Sequence, residues 1–454
     1  MKNALGNKTL IQRLAFDRDA ELIRLIELFR EGRAPVFSSG MKPHFRIAKQ
    51  KPDSFKNHKS ALGISLGGTN LKLMIASMKD GRMRVEHVKS MPIPQQPTDF
   101  YAFFDGLLIR DECVKEYLKR ESGTCMGFSF PMSINGKAPY HPTKVPNLNG
   151  IIARSMDEVT PELDFDWNIK KYFESRALPL VKLFYQSDGI IAHHGAVSLC
   201  DVRPDDSTTL IICGTGLASG DEENYIQMGI APIIDGDEEL YPADATENHQ
   251  YHYAVAGKGL FGLMDRCIKI KAGEPGSQLG KYDLHAYFCD SHGSQTMTRI
   301  WQSSLEGGSL EGSAAEIFDI IGKEAFSELQ EITAMLMKRT IGSIANSVVA
   351  TIVKMGPAGN GHGHALFFEG GIATNKYVLP RLKSEIADCI DNIRLFRRIG
   401  VTRPLMPDMD NILKPLIAGE GIEASGLADI DITLIGSVSS VIADDCLKER
   451  NICE

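Results

Sequence analysis

The chain has 454 residues, of which 43% are hydrophobic and 24% are charged, and its formal net charge is -8. This length exceeds the size at which one hydrophobic core usually stops growing, so we expect two lobes. The acidic balance argues against a general nucleic-acid binder, which is normally basic. No apolar run approaches the roughly 18 residues of a membrane-spanning helix, and residues 1–10 lack the apolar stretch of a signal peptide.

Nine cysteines are scattered along the chain. Because their number is odd and no Cys-x-x-Cys pair occurs, neither a disulfide framework nor a zinc site of the usual spacing is predicted. Free thiols in a reducing compartment fit this pattern better. We therefore expect a cytoplasmic protein.

The first 60 residues are predicted to form an extension. Apolar residues recur at roughly helical spacing within 8–33, which predicts one helix that Gly32 and Pro35 end. Residues 34–60 are polar and rich in Pro, Lys and Ser, which is typical of a connector.

Beyond residue 60, predicted strands and helices follow one another in a mixed order. Strands are predicted at 61–66, 71–77, 83–90, 125–130, 180–186, 208–213, 365–369 and 430–435, with Asp80-Gly81 as a hairpin turn. Helices are predicted at 98–121, 189–200, 260–270, 313–355, 376–390 and 437–449. Strands that run into glycine turns and then into helices indicate an α/β fold.

Three of these strands end in glycine-rich turns, at residues 67–70 (Gly-Gly-Thr-Asn), 214–216 (Gly-Thr-Gly) and 370–371 (Gly-Gly). Glycines let backbone N–H groups approach an anion, and a helix N-terminus after the turn favours negative charge. Each turn alone is equally compatible with an ordinary loop. Three in one chain predict a nucleotide held by loops on two lobes. None is a Walker A motif, since no Gly-Lys-Ser or Gly-Lys-Thr follows.

In their order along the chain, these segments resemble the hexokinase family of the sugar-kinase and actin superfamily. Residues 66–70 resemble its first phosphate loop and residues 214–216 its second, while residues 127–131 (Gly-Phe-Ser-Phe-Pro) resemble the strand whose Ser contacts the sugar. The resemblance implies a two-lobed actin-like ATPase (ribonuclease H-like) α/β fold with an interlobe cleft. It also implies transfer of the γ-phosphate of ATP to a hexose hydroxyl, with the 6-OH of glucose as the expected acceptor.

The resemblance assigns Asp188 as the general base, although Asp before a helix is also a good N-cap. The sugar contacts it implies are Ser129, Thr143, Lys144, Ser187 and Gln227. The nucleotide contacts are Gly67, Gly68, Thr69, Asn70, Gly214, Thr215, Gly216, Gly370, Gly371 and Ser437. By simpler interpretations Lys144 is a solvated surface charge, Ser129 a sheet residue, and the threonines stabilise turns. Mg²⁺ would arrive with ATP, held mainly by phosphate oxygens and water.

Four positions depart from the family pattern. Ser65 stands where the family usually has an Asp that assists the metal-bound nucleotide, and Ser187 stands where it has Asn. Near Gln227, and again near His252, the family has a Glu that binds sugar hydroxyls. These changes support a second hypothesis, a non-catalytic hexokinase-like sensor or regulator that binds sugar or nucleotide. A kinase of another small polyol or amino sugar is a third.

The predicted organisation has an N-terminal extension, two lobes and a cleft. The extension comprises residues 1–60, the small lobe residues 61–186 with the C-terminal helix 437–454, and the large lobe residues 187–436. The expected ligands are a hexose and ATP, with no nucleic acid, and the expected state is a monomer or homodimer.

Overall fold

A computed structural model describes residues 9–32, 36–66, 70–92, 100–120, 123–130, 165–214, 216–226, 240, 255–288, 293–355, 363–392, 404–407 and 430–453. The strands among them are β1 (Val36–Ser38), β2 (Ala61–Leu66), β3 (Asn70–Lys79), β4 (Arg82–Pro92), β5 (Thr124–Phe130), β6 (Leu180–Ser187), β7 (Ser207–Cys213), β8 (Leu217–Gly220), β9 (Asn224–Ile226) and β10 (His364–Glu369).

The α-helices among the described residues are α1 (Leu10–Arg13), α2 (Arg18–Arg30), α3 (Lys42–Gln50), α4 (Asp53–Lys56), α5 (Phe100–Phe104), α6 (Glu112–Leu118), α7 (Phe165–Ser175), α8 (Asp188–Leu199), α9 (Gly257–Ala272), α10 (His285–Phe288), α11 (Gly293–Ser303), α12 (Ser313–Met355), α13 (Val378–Asn392) and α14 (Ile432–Cys453). A π-helical segment, Asp105–Ile109, continues α5, and a 3₁₀ turn spans Leu279–Lys281. None of these helices combines the length and apolar character that crossing a bilayer requires.

The described strands form two five-stranded sheets. The first sheet has the order β4-β3-β2-β5-β6 and the second the order β1-β9-β8-β7-β10. In the first sheet β2, β5 and β6 are parallel, and in the second β7 and β10 are parallel. Parallel strands place their carboxyl ends at one edge, which is where open α/β sheets bind ligands.

The predicted Asp80-Gly81 turn is confirmed between β3 and β4. Asp80 has a φ of 54° and Gly81 a φ of 74°, so both lie in the left-handed region that two-residue hairpin turns use.

The N-terminal prediction is wrong in two respects. The single helix expected over 8–33 is two helices, because the carboxylate of Asp17 accepts the N–H of Ala20 and begins α2 afresh. The expected connector also holds β1, which pairs with β9, and the helices α3 and α4. In α3, Phe45, Ile47 and Ala48 are buried among otherwise polar neighbours, so polar composition concealed a packed helix.

The strand predicted at 430–435 is also wrong, because this segment begins α14. Asp431 caps the helix, since its Oδ1 accepts the N–H of Leu434 at 2.8 Å. Ile432 and Ile435 are both buried. The run is therefore apolar because the helix that it forms is packed on several sides. A short apolar run does not by itself distinguish a buried strand from a buried helix. The closing helix therefore begins at Ile432, five residues before the predicted start.

The helix α14 lies at the centre of the molecule and packs against α8 and the first sheet. Glycines allow the close approach. A Cβ on Gly436 would lie 1.9 Å from the carbonyl oxygen of Ile191 in α8, and a Cβ on Gly127 in β5 would lie 1.9 Å from that of Ser437. Backbone therefore meets backbone on both sides of the helix.

The long helix predicted over 313–355 is confirmed, with one interruption. Gly322 has a φ of 72° and a ψ of 176°, which is outside the helical region. The helix α12 packs against α2, α11 and α13 and supplies much of the core beside the second sheet.

Candidate active site

Asp188 lies at the junction of β6 and α8, at the carboxyl edge of the first sheet. Ser187 ends the strand and is the N-cap residue of α8, while Asp188 is the first helical residue. The strand β6 runs directly into α8, and the second residue of that helix is Gly189, so the local sequence places Asp188 at the strand–helix junction. The carboxylate therefore stands where the strand ends and the helix begins.

The Asp188 carboxylate is only partly engaged by the helix. Its Oδ1 accepts the N–H of Gly189 at 2.7 Å and, more weakly, the hydroxyl of Ser187 at 3.4 Å. Among the described residues, no hydrogen bond engages Oδ2. Burial raises the pKa of Asp188 to about 6, and the two hydrogen bonds oppose that rise. A carboxylate with one oxygen available and a pKa near neutrality is suited to accept a proton from a hydroxyl.

Tyr225, on β9, covers Asp188 from the second sheet and was missed by sequence reasoning. A Cβ on Gly189 would lie 2.2 Å from the ring carbon Cε2 of Tyr225, so the glycine makes room for the ring. The Ser187 side chain hydrogen-bonds the Tyr225 hydroxyl. Burial and the nearby Asp188 charge raise the pKa of Tyr225, which therefore stays a neutral hydrogen-bonding group.

The N-terminal extension also reaches this junction. The side-chain amide of Gln186 donates to the carbonyl of Ser39 at 2.9 Å, and its Oε1 accepts the N–H of Ser187 at 2.9 Å. Ser39 in turn donates its hydroxyl to the carbonyl of Glu222, in the turn before β9. The segment after β1 therefore joins the end of β6 to the second sheet.

The second and third glycine turns come together at the carboxyl ends of β7 and β10. The N–H groups of Ile372 and Ala373 both donate to the carbonyl of Cys213, at 3.0 and 3.1 Å. Gly370 has a φ of 92°, and a Cβ there would lie 2.5 Å from that carbonyl oxygen. The N-terminus of α9 joins them, since Gly257 donates its N–H to the carbonyl of Gly214. The described residues of the two turns, including Gly216 and Gly371, form one backbone-lined surface.

A second carboxylate, Glu369, lies at the end of β10 and was also missed as a site residue. Its Oε1 accepts the hydroxyl of Thr433 at 2.7 Å, whereas its buried Oε2 has no hydrogen-bond partner among the described residues. Burial, together with the nearby carboxylates of Asp431 and Asp188, raises the pKa of Glu369. A signal was present in the sequence, because Glu before Gly-Gly at a strand end parallels Asp188 before Gly189.

Lys72 is the cation of this region within the described part of the chain. It lies on β3 opposite Ser65 of β2, and its Nζ donates to Asp431 Oδ2 at 2.7 Å. The chain of contacts from Lys72 through Asp431 and Thr433 to Glu369 links the first sheet to the end of β10. Ser65, where a carboxylate was expected, is buried next to this cation.

Three of the predicted ligand residues are buried: Ser187, described above at the end of β6, Ser129 and Ser437. Ser129 lies on β5 between Ser65 and Gln186 and is fully buried, and its hydroxyl has no partner among the described residues. Ser437 lies inside α14, where its hydroxyl donates to the carbonyls of Thr433 and Ile64. In this arrangement the Ser437 hydroxyl contributes to the packing of α14 on the first sheet.

Several predicted residues lie outside the described residues and stay predictions. They are Gly67, Gly68, Thr69, Thr143, Lys144, Thr215 and Gln227. Asn70 is described as the first residue of β3, and nothing is described of its side chain. The structure thus brings together Asp188, Ser187, Gly214, Gly216, Gly370 and Gly371 from the predicted set.

The fold that carries this site is found in solved hexokinases. A crystal structure of hexokinase matches with a TM-score of 0.64 over 96% of this chain and 97% of that chain, at 13% identity. A hexokinase from Schistosoma mansoni complexed with glucose matches with a TM-score of 0.56 over 92% of this chain and 100% of that chain, at 14% identity. The predicted two-lobed actin-like ATPase fold is confirmed, and the resemblance holds at the level of the fold. No protein-family model and no curated protein matches the sequence.

Proposed function

We propose that this chain, which has the hexokinase fold, is an ATP-dependent hexose kinase with Asp188 as its general base. The observation that supports the proposal is the Asp188 carboxylate, which keeps Oδ2 unbonded among the described residues at the carboxyl edge of the first sheet. Glucose is the first sugar to test, because a hexokinase of the same fold was solved with glucose.

Phosphoryl transfer requires positioning, stabilisation of negative charge and a base for the attacking hydroxyl. Asp188 supplies the base, and burial brings its pKa closer to neutral pH than the pKa of an ordinary Asp. The turns that contain Gly214 and Gly370, with the N-terminus of α9, would line the phosphate site, where N–H groups outside the hydrogen bonds described above would meet phosphate oxygens. Closure of the lobes around the sugar would exclude the water that competes for the phosphate.

The carboxylates of this region fit a magnesium ion. Mg²⁺ prefers oxygen ligands and keeps several of its waters, and the buried Oε2 of Glu369 is a carboxylate oxygen without a partner among the described residues. Glu369 would hold the ion or its waters, in place of the Asp that the family usually has where this chain has Ser65. When bound, the ion neutralises charge on the phosphates of ATP.

The test is release of ADP from Mg-ATP by purified protein across a panel of hexoses, with Asp188→Ala and Asp188→Asn alongside. We expect sugar-dependent release that falls by about 10²–10⁴-fold in both variants, because general-base catalysis contributes that much. Asp265→Asn is the matched control. Asp265 is a carboxylate on α9 paired with Lys269 and His285 and outside the site, so this variant should keep its activity.

The alternative is a sensor that binds sugar or nucleotide without turnover, and the burial of Ser65 and Ser129 favours it. Its signature is a higher melting temperature with a sugar or with ATP, while no sugar stimulates ADP release. That combination would refute the kinase and support the sensor. Activity that persists in Asp188→Ala would instead refute the assignment of the base.

A further inference from the structure

A second cluster of chemically active side chains lies on the first sheet and shares no residue with the Asp188 site. It comprises His87 on β4, Asp111 at the N-cap of α6, and Cys113 in the first turn of α6. One ligand atom from each lies within 4.8 Å of the others. His87 Nε2 is 3.3 Å from Asp111 Oδ2.

A β-bulge turns His87 toward α6. Ala76 of β3 faces Val85, whereas Ile75 faces His87, so Glu86 is the extra residue of β4. Before the bulge Val85 packs on the α14 side of the sheet, and beyond it Val88 does so. Without the bulge His87 would share the face of Val85. Bulges commonly re-aim a side chain in this way.

The cap of α6 orients the second ligand. Asp111 Oδ1 accepts the N–H of Val114 at 3.2 Å, which fixes the carboxylate at the start of the helix. Its Oδ2 therefore faces β4, where it meets His87 and the ammonium of Lys89, each at 3.3 Å. Cys113 is exposed, and its Sγ lies within 4.8 Å of a ligand atom of each of the other two residues.

We propose that His87, Asp111 and Cys113 bind a divalent transition metal of the zinc class. Imidazole nitrogen, thiolate sulfur and carboxylate oxygen are the ligands that Zn²⁺ takes, at about 2.0–2.3 Å. A soft thiolate is a poor ligand for Mg²⁺ or Ca²⁺, which select oxygen. Three protein ligands leave a fourth position for water. The bound ion would join the edge strand β4 to α6.

Lys89 is the group that opposes the metal. Its ammonium now neutralises Asp111, and binding of the ion requires this side chain to swing away. The swing is open to it, because the side chain is long and 29% exposed. Removal of the Lys89 charge should therefore tighten the site, while removal of a ligand should weaken it.

The test is titration of the metal-stripped full chain with Co²⁺, followed by the thiolate-to-metal absorption, and with Zn²⁺ by calorimetry. We expect one site whose affinity falls by about 100-fold or more in Cys113→Ser and in His87→Gln, since even loss of a supporting residue costs about 10–100-fold. Lys89→Gln should bind the metal more tightly, by about tenfold, because it removes the positive charge that competes for Asp111. A tenfold change corresponds to about 1.4 kcal/mol.

His285→Gln and Cys125→Ser are the matched controls. His285 contacts a carboxylate, Asp265, and Cys125 is partly buried on β5, so neither variant should change the titration. Absence of the thiolate band, or a band that survives in Cys113→Ser, would overturn the proposal. So would a Lys89→Gln variant that binds no more tightly than the parent. These readouts do not depend on kinase activity.

Discussion

Asp188 shows how burial prepares one residue for chemistry at a cost to the fold. The folded chain favours the neutral carboxyl, since burial raises the pKa of Asp188 from 3.8 to about 6. A shift of about two units corresponds to about 3 kcal/mol of stability. At neutral pH, the charged form of Asp188 that general-base catalysis requires therefore destabilises the folded chain.

This penalty predicts a distinctive pH dependence for Asp188→Asn. Because the folded pKa exceeds the unfolded one, the parent loses stability as the pH rises from about 4 to about 6. Asp188→Asn cannot ionise, so it should be more stable than the parent by about 1–3 kcal/mol at pH 7. Urea unfolding at both pH values measures this, and the difference should vanish near pH 4. An Asn variant less stable than the parent at pH 7 would contradict the account.

The same pKa should govern the rate of the proposed reaction. Below pH 6 the fraction of ionised Asp188 falls tenfold for each unit, so the sugar-dependent rate should fall with it. The control is a pH profile of ATP binding, which does not require the base and should stay flatter.

Among the elements, α14 approaches both α8 and β5 so closely that a Cβ at either crossing would lie 1.9 Å from a carbonyl oxygen. Gly436 and Gly127 let the backbone of α14 approach α8 on one side and β5 on the other. The shape of the core between the two sheets therefore depends on positions where a side chain would meet a carbonyl oxygen. Such oxygens belong to backbone that cannot move aside cheaply.

Gly436→Ala should destabilise the protein by about 3 kcal/mol or more, because its Cβ would lie 1.9 Å from the Ile191 carbonyl oxygen. The matched control is Gly262→Ala on α9, where a Cβ meets nothing within 4 Å. Alanine is the better helix former, so the control should gain up to about 1 kcal/mol. Urea midpoints of the two variants measure the contrast. Equal midpoints would show that the helices separate without cost.

Across the whole molecule, a partly buried polar network joins the N-terminal extension to β6 and to the C-terminal helix α14. Lys182 of β6, 4% exposed, lies 3.0 Å from Asp444 Oδ2 and 2.6 Å from Asp445 Oδ1 of α14. His44 of α3 contacts Asp444, and His58, after α4, contacts Asp445. Although burial alone would raise it, hydrogen bonds from His44 and Lys182 lower the pKa of Asp444 to about 2.

Lys182→Met should cost about 3 kcal/mol at neutral pH, since it leaves two partly buried carboxylates without their shared cation. The depressed pKa of Asp444 means that this stabilisation is present above about pH 4 and is lost as the pH falls toward 2. The deficit measured by urea unfolding should therefore shrink in acid.

Lys448→Met is the matched control for the network. Lys448 lies 3.8 Å from the same Asp444 oxygen but is 67% exposed, so its loss should cost less than about 1 kcal/mol. Equal losses in the two variants would show that burial of Lys182 contributes nothing to the network.

Local sequence was enough to predict the strands that end in glycine turns, the hairpin at Asp80-Gly81 and the position of Asp188 between a strand and a helix. Each follows from local chemistry, in which neighbouring residues set the backbone. The tertiary structure was needed to show that residues 430–435 begin a helix, because an apolar run indicates burial and not which element is buried. It also decided that Glu369, Asp431 and Lys72 meet near Asp188. These contacts join residues 64 to 359 positions apart, and they arise from packing of α14 against the first sheet and the end of β10, which no local pattern encodes.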